Sequence, residues 1–277
     1  MSAPVLELVG ISKTFPISGF PARRRNVLED VSFALEPGEI VALVGESGSG
    51  KSTIARIVAR LENPDAGALN LEGADVLVSE PRHASLAYRA RVQMVFQDPF
   101  ASLNPAHRVR HHIARPLLLH GRAHQSDVRA RTLELLEAVG LRPAADFVDR
   151  YPHALSGGQR QRVAVARALA AGPKVIVADE PTSMLDASTR IGVLDLLQRL
   201  TRERGIAILL ITHDLAIARH LAHRVVVLAG ARVVEQGATA QVFDAPTHAY
   251  TKQLLDASRA RGAAPPSPAP PADKLEK

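Results

Sequence analysis

GESGSGKST, residues 45–53, is the stretch from which the rest of this chain is read. It fits G-x-x-x-x-G-K-[ST], a loop that cradles phosphate through backbone N–H groups. The flanks complete the argument. EIVALVG (39–45) is an apolar run with strand character, and KSTIARIVARLEN (51–63) has helical length. A strand fed through such a loop into a helix turns a string match into a site. Gly45, Gly48 and Gly50 let the backbone fold tightly and aim amides inward, and the helix adds its positive N-terminal end. Lys51 is expected to pair with the β and γ phosphates of a bound nucleotide and the Ser52 hydroxyl to ligate Mg²⁺. Glu46, Ser47, Ser49 and Thr53 belong to the same nucleotide-binding stretch.

A second feature is VIVADEP, residues 175–181, an apolar strand ending in two acids. In a parallel sheet such a strand sets both carboxylates at its C-terminal edge, beside the phosphate loop. Asp179 is then expected to hold Mg²⁺ and Glu180 to face the γ-phosphate and polarise an attacking water. Two more polar residues end apolar runs in the same way. Gln97 follows VQMVF and can reach both Mg²⁺ and the water; His213 follows ILLIT and can sense the γ-phosphate. Each alone reads more readily as a loop or capping residue, but four polar groups at strand ends beside one phosphate loop favour a shared site.

Further strands are read at VLELV (5–9), KVIVAD (174–179), IAILLIT (206–212) and HRVVVLAG (223–230), with helix-length segments at 187–205 and 214–222. Continuous apolar strands alternating with helices predict an α/β fold with a mostly parallel sheet covered on both faces. From about 98 to 172 strand signals vanish, and helical patterns suggest a subdomain inserted into that core. Within it, SDVRARTLELLEAVGL carries Ser126 or Asp127 as an N-cap and Gly140 as a stop. PISGFPARRR (16–25) reads as a Pro/Gly loop with solvated Arg23 to Arg25. The tail, 259–277 and Pro/Ala-rich from about 262, reads as disordered.

Composition bounds the rest. Of 277 residues, 46% are hydrophobic, enough to fill a core; there is no cysteine, so neither disulfides nor thiolate metal sites are possible. Seven Phe, three Tyr and no Trp argue against a base-stacking recognition surface. The net charge of +6 suits a nucleic acid, an anionic membrane surface or an ordinary Arg-rich exterior, and does not choose among them. The N-terminus lacks a signal-peptide layout, and no apolar run approaches the roughly 20 residues of a membrane span.

LSGGQR (155–160) fits none of the roles above. Ser156 offers a hydroxyl, Gly157 and Gly158 expose amides, Gln159 follows, and QRVAVARALA (161–170) runs on as a helix whose N-terminus favours an anion. About a hundred residues from the phosphate loop, it suits a phosphate held by another chain.

Over nearly all of residues 4–258 the sequence resembles the ATP-binding subunits of ABC transporters. The motif series stands in order: an aromatic before the first loop (Phe15), Walker A (45–53), the Q-loop Gln97, the signature LSGGQ (155–159), Walker B (175–180), the D-loop SMLD (183–186) and the switch His213. The resemblance implies a P-loop nucleotide-hydrolase core with an N-terminal antiparallel β portion and an inserted helical subdomain. It implies a head-to-tail pair of ATPase subunits, each ATP lying between one Walker A and the other signature. Phe15 then stacks adenine, Asp186 joins the nucleotide-site residues, and 98–112 meets a membrane subunit. ATP and Mg²⁺ are the implied cofactors.

FQDPFASLNP, YPHALSGGQRQRV, DEPTSMLD and APTHAYTKQLLDA resemble the oligopeptide, dipeptide and nickel importer branch. That branch usually pairs two different ATPase chains with two different permease chains and an extracytoplasmic binding protein, the ATPases peripheral on the cytoplasmic face of the membrane; a pair of identical ATPase chains stays open. SGGQRQR resembles the second of the two ATPases. Ala249 replaces the branch's usual proline, Ala106 a frequent arginine, and a cysteine-bearing extension is missing, which weakens the substrate reading. Peptide import is expected; nickel or a metal chelate, an opine or an oligosaccharide stay open. One uninterrupted cassette speaks against a non-transport ABC ATPase working on DNA or the ribosome, so no nucleic-acid partner is expected. The histidines at 107, 111, 112, 120 and 124 have no interleaved acid and read as surface rather than metal ligands.

Overall fold

The computed structural model describes residues 3–17, 23–80 and 83–263. In chain order the strands are β1 (Leu6–Ile17), β2 (Arg23–Leu35), β3 (Ile40–Val44), β4 (Ala66–Leu71) and β5 (Ala74–Asp75). They continue with β6 (Val92–Val95), β7 (Val175–Asp179), β8 (Ala207–Ile211), β9 (Arg224–Ala229) and β10 (Arg232–Ala238). The first helices are α1 (Lys51–Val58), α2 (Val76–Ser79), α3 (Leu86–Arg91), α4 (Pro99–Ser102), α5 (Val109–Leu119) and α6 (Val128–Ala138). Then come α7 (Ala145–Val148), α8 (Gly157–Leu169), α9 (Ala187–Arg204), α10 (Leu215–Leu221), α11 (Thr239–Asp244) and α12 (Ala249–Ala263).

The larger sheet has the order β10-β9-β3-β8-β7-β6, parallel from β9 to β6 with β10 antiparallel at one edge. β3 and β8 are buried at every residue, the signature of a sheet covered on both faces. Alternate side chains divide the core. Ile40, Ala42, Val44, Ile208 and Leu210 pack with α5, α6, α8 and α9. Val41, Leu43, Leu209 and Ile211 pack with α1 and the inner face of the second sheet, β2-β1-β4-β5, which is antiparallel throughout. The fold is α/β, and residues between β6 and β7 are helical, as the loss of strand signals there predicts.

β2, β4, β5 and β10 carried no strand signal. β2 is charge-rich at its start, and β4 holds Gly67 between two alanines, with exposed residues at its start. β10 contains Glu235, Gln236 and Gly237 and is half-buried or exposed throughout. One-sided antiparallel strands need no continuous apolar run, so their composition hides them.

Helix ends also differ from expectation. The segment expected as helix over 51–63 stops at Val58 because Arg60 adopts φ 55° and its guanidinium donates to the Val76 carbonyl at 2.8 Å. Arg60 and Leu61 amides return to the carbonyls of Ile57 and Arg56, a Schellman end with arginine where glycine is usual. α6 closes the same way around Gly140, the expected stop, at φ 79°. Asp127 stands at its N-cap position, but its carboxylate accepts from the His124 amide instead of from the helix.

β1 and β2 reach into the loop read over 16–25, pairing Pro16 with Arg24; residues 18–22 lie outside the described residues. Arg24 and Arg25 are exposed, as expected. Residues 259–263, expected to begin the disordered tail, continue the helix to Ala263, and the rest of that expected tail, 264–277, lies outside the described residues. Among the described residues no helix is long and apolar enough to cross a membrane.

Leu209, fully buried at the centre of β8, makes the two-faced sheet testable. Leu209→Ala should cost about 2–5 kcal/mol, read as a lower urea midpoint at unchanged m-value.

Candidate active site

β3 ends at Val44, and the chain turns through 45–50 before α1 begins at Lys51. Two glycines are required by their surroundings. A Cβ at Gly45 would stand 2.2 Å from the Leu228 carbonyl oxygen, and one at Gly50 would stand 2.6 Å from that of Val27. Strands β9 and β2 thus press on the loop from outside. Gly50 also occupies the N-cap of α1, at φ 111°, and offers no side chain to the helix amides. α8, α9 and α10 instead have their first turns capped by Ser156, Asp186 and Asp214. Of these helix N-termini, α1 is left open for an external anion.

Lys51 is buried, 8% exposed. Its ammonium donates to the carbonyls of Gly45 (2.8 Å) and Glu46 (2.7 Å) and more weakly to Ser49 Oγ (3.4 Å). Burial lowers its pKa, opposed by the charges of Glu180, Asp179 and Glu46. Asp179 ends β7; burial and the neighbouring Glu180 charge raise its pKa, opposed by a Ser52 hydrogen bond and by Lys51.

Glu180 follows in a left-handed backbone conformation, φ 44°, that costs an L-residue about 1–3 kcal/mol. Neighbours hold it there: its amide donates to the Ile211 carbonyl at 2.9 Å, and its own carbonyl accepts from Ser183 Oγ at 3.1 Å. Both carboxylate oxygens are engaged. Gln97 Nε2 donates to Oε2 at 3.2 Å, and His213 Nδ1 lies 2.8 Å from Oε1. The ends of β3, β6, β7 and β8 therefore converge, and the residues predicted at those four strand ends meet. A cavity of about 430 Å³ opens there, lined among others by Arg25, Val27, Lys51, Ser52, Thr53, Glu180 and His213.

The signature residues lie elsewhere. Ser156 caps α8, accepting from the Gln159 amide at 3.3 Å while Gln159 Oε1 accepts from the Ser156 amide at 3.0 Å, a capping box. Both glycines are inside the first helical turn, not ahead of the helix. A Cβ on Gly158 would sit 1.9 Å from Thr189 Cγ2 on α9, and one on Gly157 would meet Leu185 at 3.3 Å. Close approach of α8 to the 185–189 turn is thus a second reason for these glycines. Asp186 N-caps α9 through the Thr189 amide (2.9 Å) and the Ser188 hydroxyl (2.6 Å), which hold its carboxyl well below the usual range.

Phe15 lies half-buried on β1 beneath the Lys13 ammonium, 5.2 Å from the ring centroid, and pairs across the strands with Arg25. Arg25 itself lines the cavity beside Lys51, a position its reading as solvated surface missed. So was Tyr250 missed, whose hydroxyl accepts from the Glu46 amide at 3.1 Å. Its only sequence signal was the THAYT stretch, legible as a branch marker. The His107 and His111 rings stack, centroids 4.0 Å apart, and no group of three His, Asp or Glu side chains among the described residues is arranged to hold a metal.

Comparison with known proteins gives this geometry a context. Residues 28–183, more than half of the chain, match the family described as ABC transporter. The chain belongs to the ABC transporter family. It is an ATP-binding and ATP-hydrolysing subunit. The dipeptide transport ATP-binding protein DppF of Haemophilus influenzae is 43% identical over 260 residues, 93% of this chain and 79% of that one. The glutathione import ATP-binding protein GsiA of Shigella flexneri is 45% identical over 258 residues, 92% of this chain but 41% of the longer relative. Among solved structures, the dimeric ATP-binding cassette MJ0796 bound to ADP and Pi superimposes with TM-score 0.72 at 31% identity, covering 84% of this chain and 98% of that one. The cbiO1 structure from Clostridium perfringens, part of the ABC transporter complex cbiONQ, gives 0.76 at 25% identity, over 94% and 96% of the two chains.

Two outcomes test the geometry. Gly158→Ala should destabilise the fold by about 1–3 kcal/mol by overpacking, and adding Thr189→Ser, which deletes the clashing methyl, should restore most of the melting temperature. The raised pKa of Asp179 makes its charged form a cost above that pKa, relieved as pH falls through it. Asp179→Asn should therefore melt higher than the parent at pH 7, with the difference shrinking as pH falls toward the ordinary carboxylate value of 3.8.

Proposed function

We propose that this chain drives an ABC importer for di- or oligopeptides, with ATP bound in the cavity beside Lys51 and completed by the signature of a second ATPase subunit. The observation that carries the catalytic part is the grip on Glu180: Gln97 and His213 engage its two carboxylate oxygens beside the buried Lys51. Such a carboxylate is oriented to accept a proton from an attacking water. Lys51 turns from the Gly45 and Glu46 carbonyls to the β and γ phosphates, which replace those acceptors and keep the ammonium paired. Thr53 and the loop residues Glu46, Ser47, Gly48 and Ser49 complete the phosphate cradle, and Phe15 serves the adenine.

Ser52, Asp179 and Gln97 are the groups we assign to Mg²⁺. The Ser52–Asp179 hydrogen bond brings hydroxyl and carboxylate within reach of one ion, and an all-oxygen donor set suits Mg²⁺. When bound, the ion neutralises charge on the β and γ phosphates. Ser156, Gly157, Gly158 and Gln159 serve the partner's ATP: the capping box engages the Gln159 amide, and the helix start and hydroxyl of Ser156 remain suited to an anion. Asp186 acts from the same turn, against which Gly157 packs.

Peptide import is supported by the names of DppF and GsiA, glutathione being itself a peptide. The dimeric MJ0796 cassette supports a paired ATPase, and cbiO1, part of a transporter complex, supports assembly with membrane subunits. We assign residues 4–258 to the cassette, with a helical subdomain over about 98–172 whose 98–112 stretch meets the membrane partner, in an assembly with two permease chains on the cytoplasmic membrane face. A related but different ATPase chain and an extracytoplasmic binding protein complete the assembly.

Glu180→Gln should lower ATP turnover of the assembled complex by about 10²–10⁴-fold while ATP affinity is retained. Parental turnover in that variant puts the base elsewhere. Ser156→Arg should leave ATP binding by the isolated chain intact and block turnover of the complex. Lost binding in the isolated chain contradicts a role in trans.

A further inference from the structure

The backbone of Glu46, the second residue of the phosphate loop, is tied at both its amide and its carbonyl by side chains. Its carbonyl accepts from Lys51 at 2.7 Å, and its amide donates to the Tyr250 hydroxyl at 3.1 Å. Tyr250 comes from the opposite end of the chain, at the start of α12. It also lines a second cavity of about 430 Å³ along the loop, together with Ser47, Gly48, Ser49 and Ala231.

The turn that delivers Tyr250 is itself fixed. One carboxylate oxygen of Glu235, on β10, accepts from the Thr247 amide (2.8 Å) and hydroxyl (2.9 Å), and the other accepts from the His248 amide (3.1 Å). His248 Nδ1 in turn accepts from the Tyr250 amide at 3.2 Å. A chain of hydrogen bonds thus runs from β10 through the start of α12 to the phosphate loop.

From this geometry we propose that Tyr250 is a positioning residue for ATP, holding the Glu46 backbone through its hydroxyl, and that Glu235 acts on the same loop through Tyr250. The inference rests on the assignment of residues 45–53 as the ATP site. Without nucleotide the Glu46 backbone has two side-chain ties. When Lys51 turns to phosphate the carbonyl keeps only the Ser49 amide, 3.2 Å away, and the Tyr250 bond is the side-chain tie that remains. Removing the hydroxyl should therefore tell on the ATP-bound state more than on the free protein.

The test is ATP binding to the full chain in the presence of Mg²⁺, with melting temperature measured in parallel. Tyr250→Phe keeps the ring and removes the bond. It should weaken ATP binding about three- to tenfold, the range of one net hydrogen bond, and lower the ATP-bound melting temperature more than the nucleotide-free one. In the assembled complex KM for ATP should rise by the same factor with kcat within twofold. Glu235→Gln should weaken binding in the same direction, and the double variant should bind no worse than the weaker single one, because both act on one contact. Parental affinity in Tyr250→Phe overturns the proposal, as does a nucleotide-free melting temperature that falls as far as the ATP-bound one. Fully additive losses overturn the role of Glu235. Lys51→Ala separates the two readings: if it binds ATP as well as the parent, the loop assignment falls, whereas lost binding there with parental affinity in Tyr250→Phe defeats this inference alone.

Discussion

Burial of the parallel sheet on both faces is the constraint on which the rest depends. Such strands run in one direction, so their C-terminal ends share one edge. β3, β8, β7 and β6 are neighbours in that order, and each delivers its polar residue to that edge: the phosphate loop, His213, the Asp179–Glu180 pair and Gln97. The alternation that sends Val41 and Leu43 to one core and Ile40, Ala42 and Val44 to the other fixes this register, because a one-residue slip would exchange every side chain between cores.

At that edge the fold tolerates poor local energetics. Lys51 is buried and Asp179 half-buried, each with its charged form disfavoured by desolvation, and Glu180 occupies a left-handed conformation. Their mutual attraction offsets part of the cost, as do the loop carbonyls around the ammonium and the Gln97 and His213 contacts. A polyanion satisfies Lys51 and the open start of α1 together. Strain of this kind persists where the surrounding packing over-determines it.

The signature region follows a different logic. Its serine and glutamine are engaged in an internal capping box and its glycines in close packing on 185–189, so α8 and α9 are joined at their N-terminal ends. The residues we assign to a nucleotide on another subunit are thereby seated on the turn that follows Walker B. A change at Glu180 has a short covalent and packed route to Ser156.

The motifs were legible because phosphate chemistry demands particular residue types at fixed spacing: Gly45, Gly50, Lys51, Asp179 and Glu180 are readable one by one. So were the two-sided strands, whose apolar runs are continuous. The one-sided strands β2, β4, β5 and β10 were not, since half of each faces solvent or a neighbour that the local sequence does not specify. Arg25 and Tyr250 escaped for a related reason, being an ordinary surface arginine and a tyrosine in a late motif until β2 and α12 bring them to the loop. By itself the sequence determined the chemistry, a nucleotide site and a second anion-suited helix start. Only the tertiary structure decided that Gly158 is a packing residue and that the C-terminal helix reaches Glu46, because both depend on elements distant in sequence meeting at atomic contact.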